Sequence, residues 1–196
     1  MTLQVGALRT WLTAWTPDPT TPDVEAALQI ANRTRICTFL DANPDALSRE
    51  CRAGHITASA FVVDLWGQRF AAVRHGLAGR WLQPGGHLES EDLDVLAAAR
   101  REAEEETGMF VVIDPRPLRL DIHEVQCRTS DGSKGPSVHF DIELLGVTGP
   151  GAVTRAASDP VAWWPLDAPD PGDRALAALR HAARRRIRPE EVIHRP

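Results

Sequence analysis

Residues 84–109 constrain this chain most, because they demand a glycine-led loop, a helix with carboxylates gathered on one side and an abrupt helix end. Pro84, Gly85 and Gly86 open the segment, and adjacent glycines let main-chain groups come close to a ligand. The following residues predict a helix over 93–107, with Gly108 placed to end it in a left-handed conformation. Within that helix Glu102, Glu105 and Glu106 stand at i, i+3 and i+4, so three carboxylates project from one face within reach of one another. Converging anions repel unless neutralised, and oxygen-rich clusters suit Mg²⁺ or Mn²⁺. The remaining face, with Leu93, Leu96, Ala97 and Ala103, is left to pack on a sheet. An isolated acidic run on a helix is usually only a solvated face. The glycine loop, Arg101 and Gly108 around this run argue for chemistry.

The rest of the chain bounds where such chemistry operates. With 196 residues, the length suits one domain of ordinary size with a small appendage. A composition of 43% hydrophobic and 25% charged residues is that of a folded globular chain. The formal net charge of −5 argues against a nucleic-acid partner, which would require many cationic contacts. Cys37, Cys51 and Cys127 are an odd, widely spaced set without a C-x-x-C pair, which predicts reduced thiols. No secretory signal pattern or membrane-length apolar run stands out, so the expectation is a cytoplasmic protein.

Along the chain the pattern changes once. Leu8, Trp11, Leu12 and Trp15 form an apolar helical stripe, and the proline-rich run 16–22 stops it. Thr21 and Pro22 fit the start of a second helix, with Val24, Leu28, Ala31, Ile36, Phe39 and Leu40 as its inner face. A third short helical piece is expected over 45–51. Residues 1–54 therefore read as a helical N-terminal extension, serving as plain packing first, or as a substrate lid or homodimer element. From His55 the character becomes β, with a hairpin turning at Gly67 and further strands over 81–83, 110–113, 118–126, 138–147 and 161–164. A late helix is expected over 173–186. Mixed strands with a central and a terminal helix predict an α/β/α sandwich around a mixed sheet over residues 55–196.

The order and spacing of the 84–109 segment resemble the Nudix box, G-x5-E-x7-R-E-U-x-E-E-x-G-U, where U is apolar. Arg101, Glu102, Ala103, Glu105, Glu106, Gly108 and Met109 match its second half. The first half departs: counted from Gly86, Asp92 stands where the box has Glu, and eight residues rather than seven separate it from Arg101. With His87 after the glycines, the segment also resembles a Gly-Gly-His branch of actinobacterial Nudix proteins with a similar insertion, whose flanking strands carry motifs like Asp121-Ile-His123 and His139-Phe-Asp141. The resemblance implies the Nudix fold and hydrolysis of a small-molecule diphosphate by water attack on phosphorus. Glu102, Glu105, Glu106 and the Gly86 carbonyl would hold Mg²⁺ or Mn²⁺, and Arg101 would orient the glutamates. His87, His123, His139, Trp81 and Lys134 are the expected substrate contacts, the histidines competing with an ordinary role as half-buried strand residues.

Trp163, Trp164, Pro165 and Leu166 resemble a stretch that follows the last core strand of many Nudix proteins, and core packing is the preferred role for both tryptophans. The arginine cluster at 184–188 suggests RNA or an acidic partner, but at the end of a terminal helix in an acidic protein it reads most simply as a solvated face that favours the helix C-terminus. Asp92 and the insertion motivate a competing function, a Nudix-fold binding or regulatory module without catalysis. A third reading keeps the chemistry with a non-nucleoside diphosphate.

Overall fold

The computed structural model of the protein describes residues 4–75, 79–128, 132, 134–150, 157–158, 160–167 and 173–187; the side chains of His75, Arg128 and Lys134, and all of Arg188, lie outside that description. Two N-terminal helices, α1 (Val5–Ala14) and α2 (Asp23–Ala42), precede β1 (His55–Asp64), β2 (Arg69–His75), β3 (Arg80–Leu82) and β4 (Gly85–His87). Then follow α3 (Val95–Thr107), β5 (Val112–Arg128), β6 (Lys134–Thr148), β7 (Val161–Pro165) and α4 (Arg174–Arg186). The sheet runs β3-β2-β1-β6-β5, with β4 paired to β1 and β7 to β2. It is mixed, because β1 and β6 are parallel while the other pairs are antiparallel.

The central strand β1 is buried along its whole length, so its alternation sorts residues between two covered faces rather than between core and water. Ile56, Ala58, Ala60 and Val62 join a core with Val95, Ala98, Ala99 and Ala103 of α3 and with Leu8, Leu12 and Ile36 of the N-terminal helices. Phe61 and Val63 join a second core with Leu176, Leu179 and Ala183 of α4. Each valine, leucine, isoleucine or phenylalanine among them contributes about 1.5–3 kcal/mol by its removal from water, and each alanine less. The expected α/β/α sandwich follows from this division. The predicted α3 face is refined by it: Leu93 precedes the helix and is exposed, while Val95, Ala98, Ala99 and Ala103 do the packing.

The N-terminal helices pack on this body, and Phe39 stacks on Phe140 of β6 with ring centroids 4.0 Å apart. Their inner face differs from the expected one. Val24 and Leu28 are 86% and 54% exposed, whereas Gln29 and Asn32 are buried. The reason is the open edge of the sheet. On β5 the Leu120 N–H donates to Gln29 Oε1 at 2.7 Å, and the Leu120 carbonyl accepts from Asn32 Nδ2 at 2.9 Å. Apolar side chains there would leave an edge-strand peptide unpaired. Residues 45–51 form successive turns instead of a helix, closed by i→i+3 bonds such as Ser48 N–H to the Asp45 carbonyl at 2.9 Å.

The arginines at the end of α4 divide between solvent and ion pairs: Arg184 is exposed, as expected, whereas Arg185 and Arg186 are not. Arg180 is buried, Arg185 pairs with Glu25 at 2.7 Å, and Arg186 pairs with Asp114 at 3.2 Å and Asp18 at 3.6 Å. Arg185 and Arg186 thereby tie the last helix to the N-terminal segment and to the start of β5. No helix among the described residues is long and apolar enough to cross a membrane. Replacing Gln29 or Asn32 by Leu should cost about 1–3 kcal/mol each through the unpaired Leu120 group, read as a lower urea midpoint; an unchanged midpoint would show that this edge does not need the helix.

Candidate active site

The predicted loop at the start of the segment is a short strand. Pairing of β4 with β1 places Gly85 opposite Ser59, Gly86 opposite Ala58 and His87 opposite Thr57. Alternation then turns successive residues to opposite sides of the sheet. Gly86 lies against α3, where an added Cβ would stand 2.6 Å from Glu102 Oε1. Gly85 lies against Ser59, where a Cβ would stand 2.4 Å from the serine Cβ, and its N–H donates to Glu106 Oε2 at 3.1 Å. The two glycines are thus required by close approach to β1 and to the carboxylates.

The glutamate face is held by α3. Asp94 caps its start by accepting from the Ala97 N–H at 2.8 Å, and Gly108 ends it at φ +71°. Glu104, the other member of the acidic run, instead accepts from the Val111 N–H at 3.3 Å. Burial raises the Glu102 pKa against the opposing pull of Arg101, and the neighbouring Glu105 and Glu89 charges add to the rise. A site that opposes its own ionisation in this way favours a cation.

Arg101 organises the cluster. Its Nε and Nη2 donate to the two oxygens of Asp92 at 3.1 and 2.9 Å, and Nη2 also donates to the His87 carbonyl at 2.9 Å. Nη1 reaches Glu102 at 2.9 Å and Glu105 at 3.4 Å. Burial works against the guanidinium charge, but Asp92 and Glu102 outweigh it and hold its pKa above the ordinary arginine range. Asp92, only 5% exposed, therefore keeps a two-pronged contact despite its shorter side chain and the extra residue before Arg101.

On the opposite sheet face lies a patch of polar rows. The register sets His123, His139 and His55 in one row, Asp121, Asp141 and Thr57 in the next, and Arg119, Glu143 and Ser59 in the third. Phe140, Ile142 and Leu144 of β6 take the α3 side, so His139 and Asp141 do not project towards the metal helix. Asp141 accepts from Thr57 at 2.9 Å and Ser59 at 2.8 Å, while burial pushes its pKa up. Glu143, 1% exposed, lies 3.0 Å from Arg119, and burial pushes its pKa up well beyond the carboxylate range. His123 Nδ1 lies 2.8 Å from Asp121, and this hydrogen bond raises the histidine pKa and lowers the aspartate's.

The other expected site residues are distributed unevenly. His87 and His139 gather with His55 and Cys127, with ring centroids 4.7 Å apart for His55 and His139 and 4.9 Å for His55 and His87. Trp81 meets Trp164 edge to face at 5.0 Å in the α4-side core. The Lys134 side chain lies outside the described residues. His55, Thr57, Ser59, Arg119 and Glu143 were not singled out by sequence. Arg119 and Glu143 continue the period-two runs of Asp121-His123 and His139-Asp141, so that signal existed; the β1 residues join only through a parallel pairing that sequence does not specify.

Two consequences are testable by denaturation. Asp92→Ala should cost about 1–3 kcal/mol by leaving Arg101 short of a partner. Asp92→Glu, although it restores the box residue, should also destabilise by crowding a fitted position; stabilisation by Asp92→Glu would refute the compensation. Because the folded pKa of His123 is raised, its pairing with Asp121 stabilises fully below the ordinary histidine pKa of about 6.5 and fades as pH rises through the raised value. The stability difference between the protein and His123→Ala should therefore shrink from pH 6 towards alkaline pH; a pH-independent difference would exclude the charged pair.

The NUDIX domain family model matches residues 55–190. Among solved structures, a NUDIX-family hydrolase from Clostridium perfringens is 22% identical with a TM-score of 0.46, covering 66% of this chain and 95% of that one. A UDP-X diphosphatase is 14% identical with a TM-score of 0.46, covering 92% and 95%, and the C. elegans Ap4A hydrolase is 17% identical with a TM-score of 0.40, covering 57% and 80%. No curated protein sequence matches the chain. With its domain model spanning more than half of the sequence, the chain belongs to the Nudix hydrolase family, enzymes that act on diphosphate bonds.

Proposed function

We propose that the protein hydrolyses a diphosphate linkage in a nucleoside diphosphate-X compound or a nucleoside triphosphate, with Mg²⁺ held by Glu102, Glu105 and Glu106. The observation that carries this reading is the convergence of Glu102 and Glu106 on the glycines of β4, where Gly86 leaves no room for a side chain. Three carboxylates of one helix face, one with its pKa raised by burial, fit a hard divalent cation and open coordination positions. When bound, that cation would neutralise the carboxylates, activate a water and offset charge on the phosphate oxygens.

The chain's own residues supply the rest. Arg101 fixes Glu102 and Glu105 while anchored on Asp92 and on the His87 carbonyl. Glu106 is fixed by the Gly85 N–H. His123, whose pKa the hydrogen bond to Asp121 raises, is the proposed contact for a substrate group that extends beyond β4. Trp81 and Lys134 remain proposed contacts on the flanking strands. Asp92 with the insertion, which had motivated a non-catalytic module, keeps the contact to Arg101 and so favours the enzyme.

Replacing Glu105 and Glu106 together by Gln should lower kcat on the order of 10²–10³-fold or more, with little change in unfolding midpoint. The assay is a panel of nucleotide and non-nucleotide diphosphates with Mg²⁺ or Mn²⁺, products being identified individually. Undiminished turnover in the double variant would remove the metal assignment, and stabilisation by ligands without turnover would favour the binding module.

A further inference from the structure

The His/Cys cluster on the sheet face opposite α3 has no part in the proposed hydrolysis. It comprises His55 of β1, His87 of β4, Cys127 of β5 and His139 of β6, and one donor atom from each lies within 4.8 Å of all the others. Cys127 Sγ is 3.3 Å from His87 Nε2 and 3.9 Å from His55 Nε2. The other ring nitrogen of His55 has its own neighbour, Ser137 Oγ at 3.5 Å. His139 Nε2 is buried with no hydrogen-bond partner among the described residues.

These observations resist an explanation by packing alone. A buried ring nitrogen without a partner is costly, and three imidazoles in mutual edge contact gain nothing from one another that apolar side chains would not supply. Burial keeps the rings neutral, lowering His55 and His87 to about 4, and His139 to about 3 with the neighbouring rings adding to the effect. Neutral imidazole is the form that ligates metal. The donor set is three nitrogens and one sulfur, unsuited to Mg²⁺ and suited to a borderline-soft ion of tetrahedral preference. A tetrahedron with Zn–N of about 2.0–2.1 Å and Zn–S of about 2.3 Å has edges of about 3.3–3.6 Å. The Cys127 to His87 separation of 3.3 Å lies within about 0.3 Å of the sulfur–nitrogen edge of such a tetrahedron, about 3.6 Å.

We propose that His55, His87, His139 and the Cys127 thiolate form a Zn²⁺ site, separate from the glutamate site and structural in character. Four protein ligands fill a tetrahedron and leave no open position for water, which is the pattern of a structural site. Ser137 beside His55 Nδ1 is placed as an outer-shell partner that orients the ring. The ion would join four strands, β1, β4, β5 and β6. Through β4 it would also reach the glutamate site, because His87 offers its side chain to the cluster and its carbonyl to Arg101. The pattern G-G-H then has a physical reading: a glycine packed on β1, a glycine packed on Glu102, and a ligand turned to the other face.

The test uses the full chain, stripped with a chelator and titrated with Co²⁺ and then Zn²⁺. The expected result is one equivalent of Co²⁺ giving a sulfur-to-cobalt charge-transfer band and tetrahedral d–d bands, both removed by one equivalent of Zn²⁺ but not by excess Mg²⁺. Cys127→Ser should abolish the charge-transfer band, and His139→Ala should weaken Zn²⁺ binding at least tenfold with loss of the Zn²⁺-induced rise in Tm. The double Gln variant of Glu105 and Glu106 should keep all these signals, which separates this site from the glutamate site. Absence of a charge-transfer band in the folded wild-type chain would overturn the proposal without recourse to any variant. Its persistence in Cys127→Ser, or its loss in the glutamate variant, would overturn it as well.

Discussion

The guanidinium of Arg101 is the point on which the site depends. It joins Asp92 at the helix approach, Glu102 and Glu105 on the helix face, and the His87 carbonyl on β4. Without it, carboxylates on one helix face would repel each other and the His87 carbonyl of β4 would lose its charged donor from the helix. The cost of confining these charges is offset by apolar packing of the other α3 face on β1. Chemistry and stability therefore occupy opposite sides of one helix, an arrangement that the 3.6-residue period permits.

The strand β4 carries a second organising role. Its few residues separate the glutamate face from the polar rows of β1, β5 and β6, and each residue serves a different neighbour. The polar rows pair their ionisable groups: buried Asp141 with two hydroxyls, buried Glu143 with Arg119, and the more exposed His123 with Asp121. Buried charge without such partners would be expelled or neutralised. The N-terminal helices contribute to the same architecture from outside, closing the β5 edge through Gln29 and Asn32.

Legibility in the sequence followed the range of the interactions. The helical stripe Leu8, Leu12, Trp15, the glutamate triad, the Gly108 cap and the β1–β2 turn at Gly67 are all local patterns, and the structure contains each of them. The inner face of α2 was misread at its first half because the neighbour there is a strand edge that needs hydrogen bonds rather than apolar cover. The roles of Arg185 and Arg186 were hidden for a related reason, since their acidic partners Glu25, Asp18 and Asp114 lie far away in the chain. The strands expected over 110–113 and 118–126 are one irregular strand, β5, whose register shifts occur around Pro117.

The sequence by itself determined the family, the sandwich class and the helix face that carries the glutamates, because these depend on spacings within a few turns of chain. It also marked His87, Asp121, His123, His139 and Asp141 as residues of interest through period-two spacing and position. Which of them meet was decided only by tertiary structure. The parallel register of β1 with β6 sets His55 beside His139, and the pairing of β4 with β1 brings His87 to them. Cys127 joins from the far end of a long strand, in a contact set by the path of β5 beside β6. A pairing register is a property of two distant segments together, and neither segment alone encodes it.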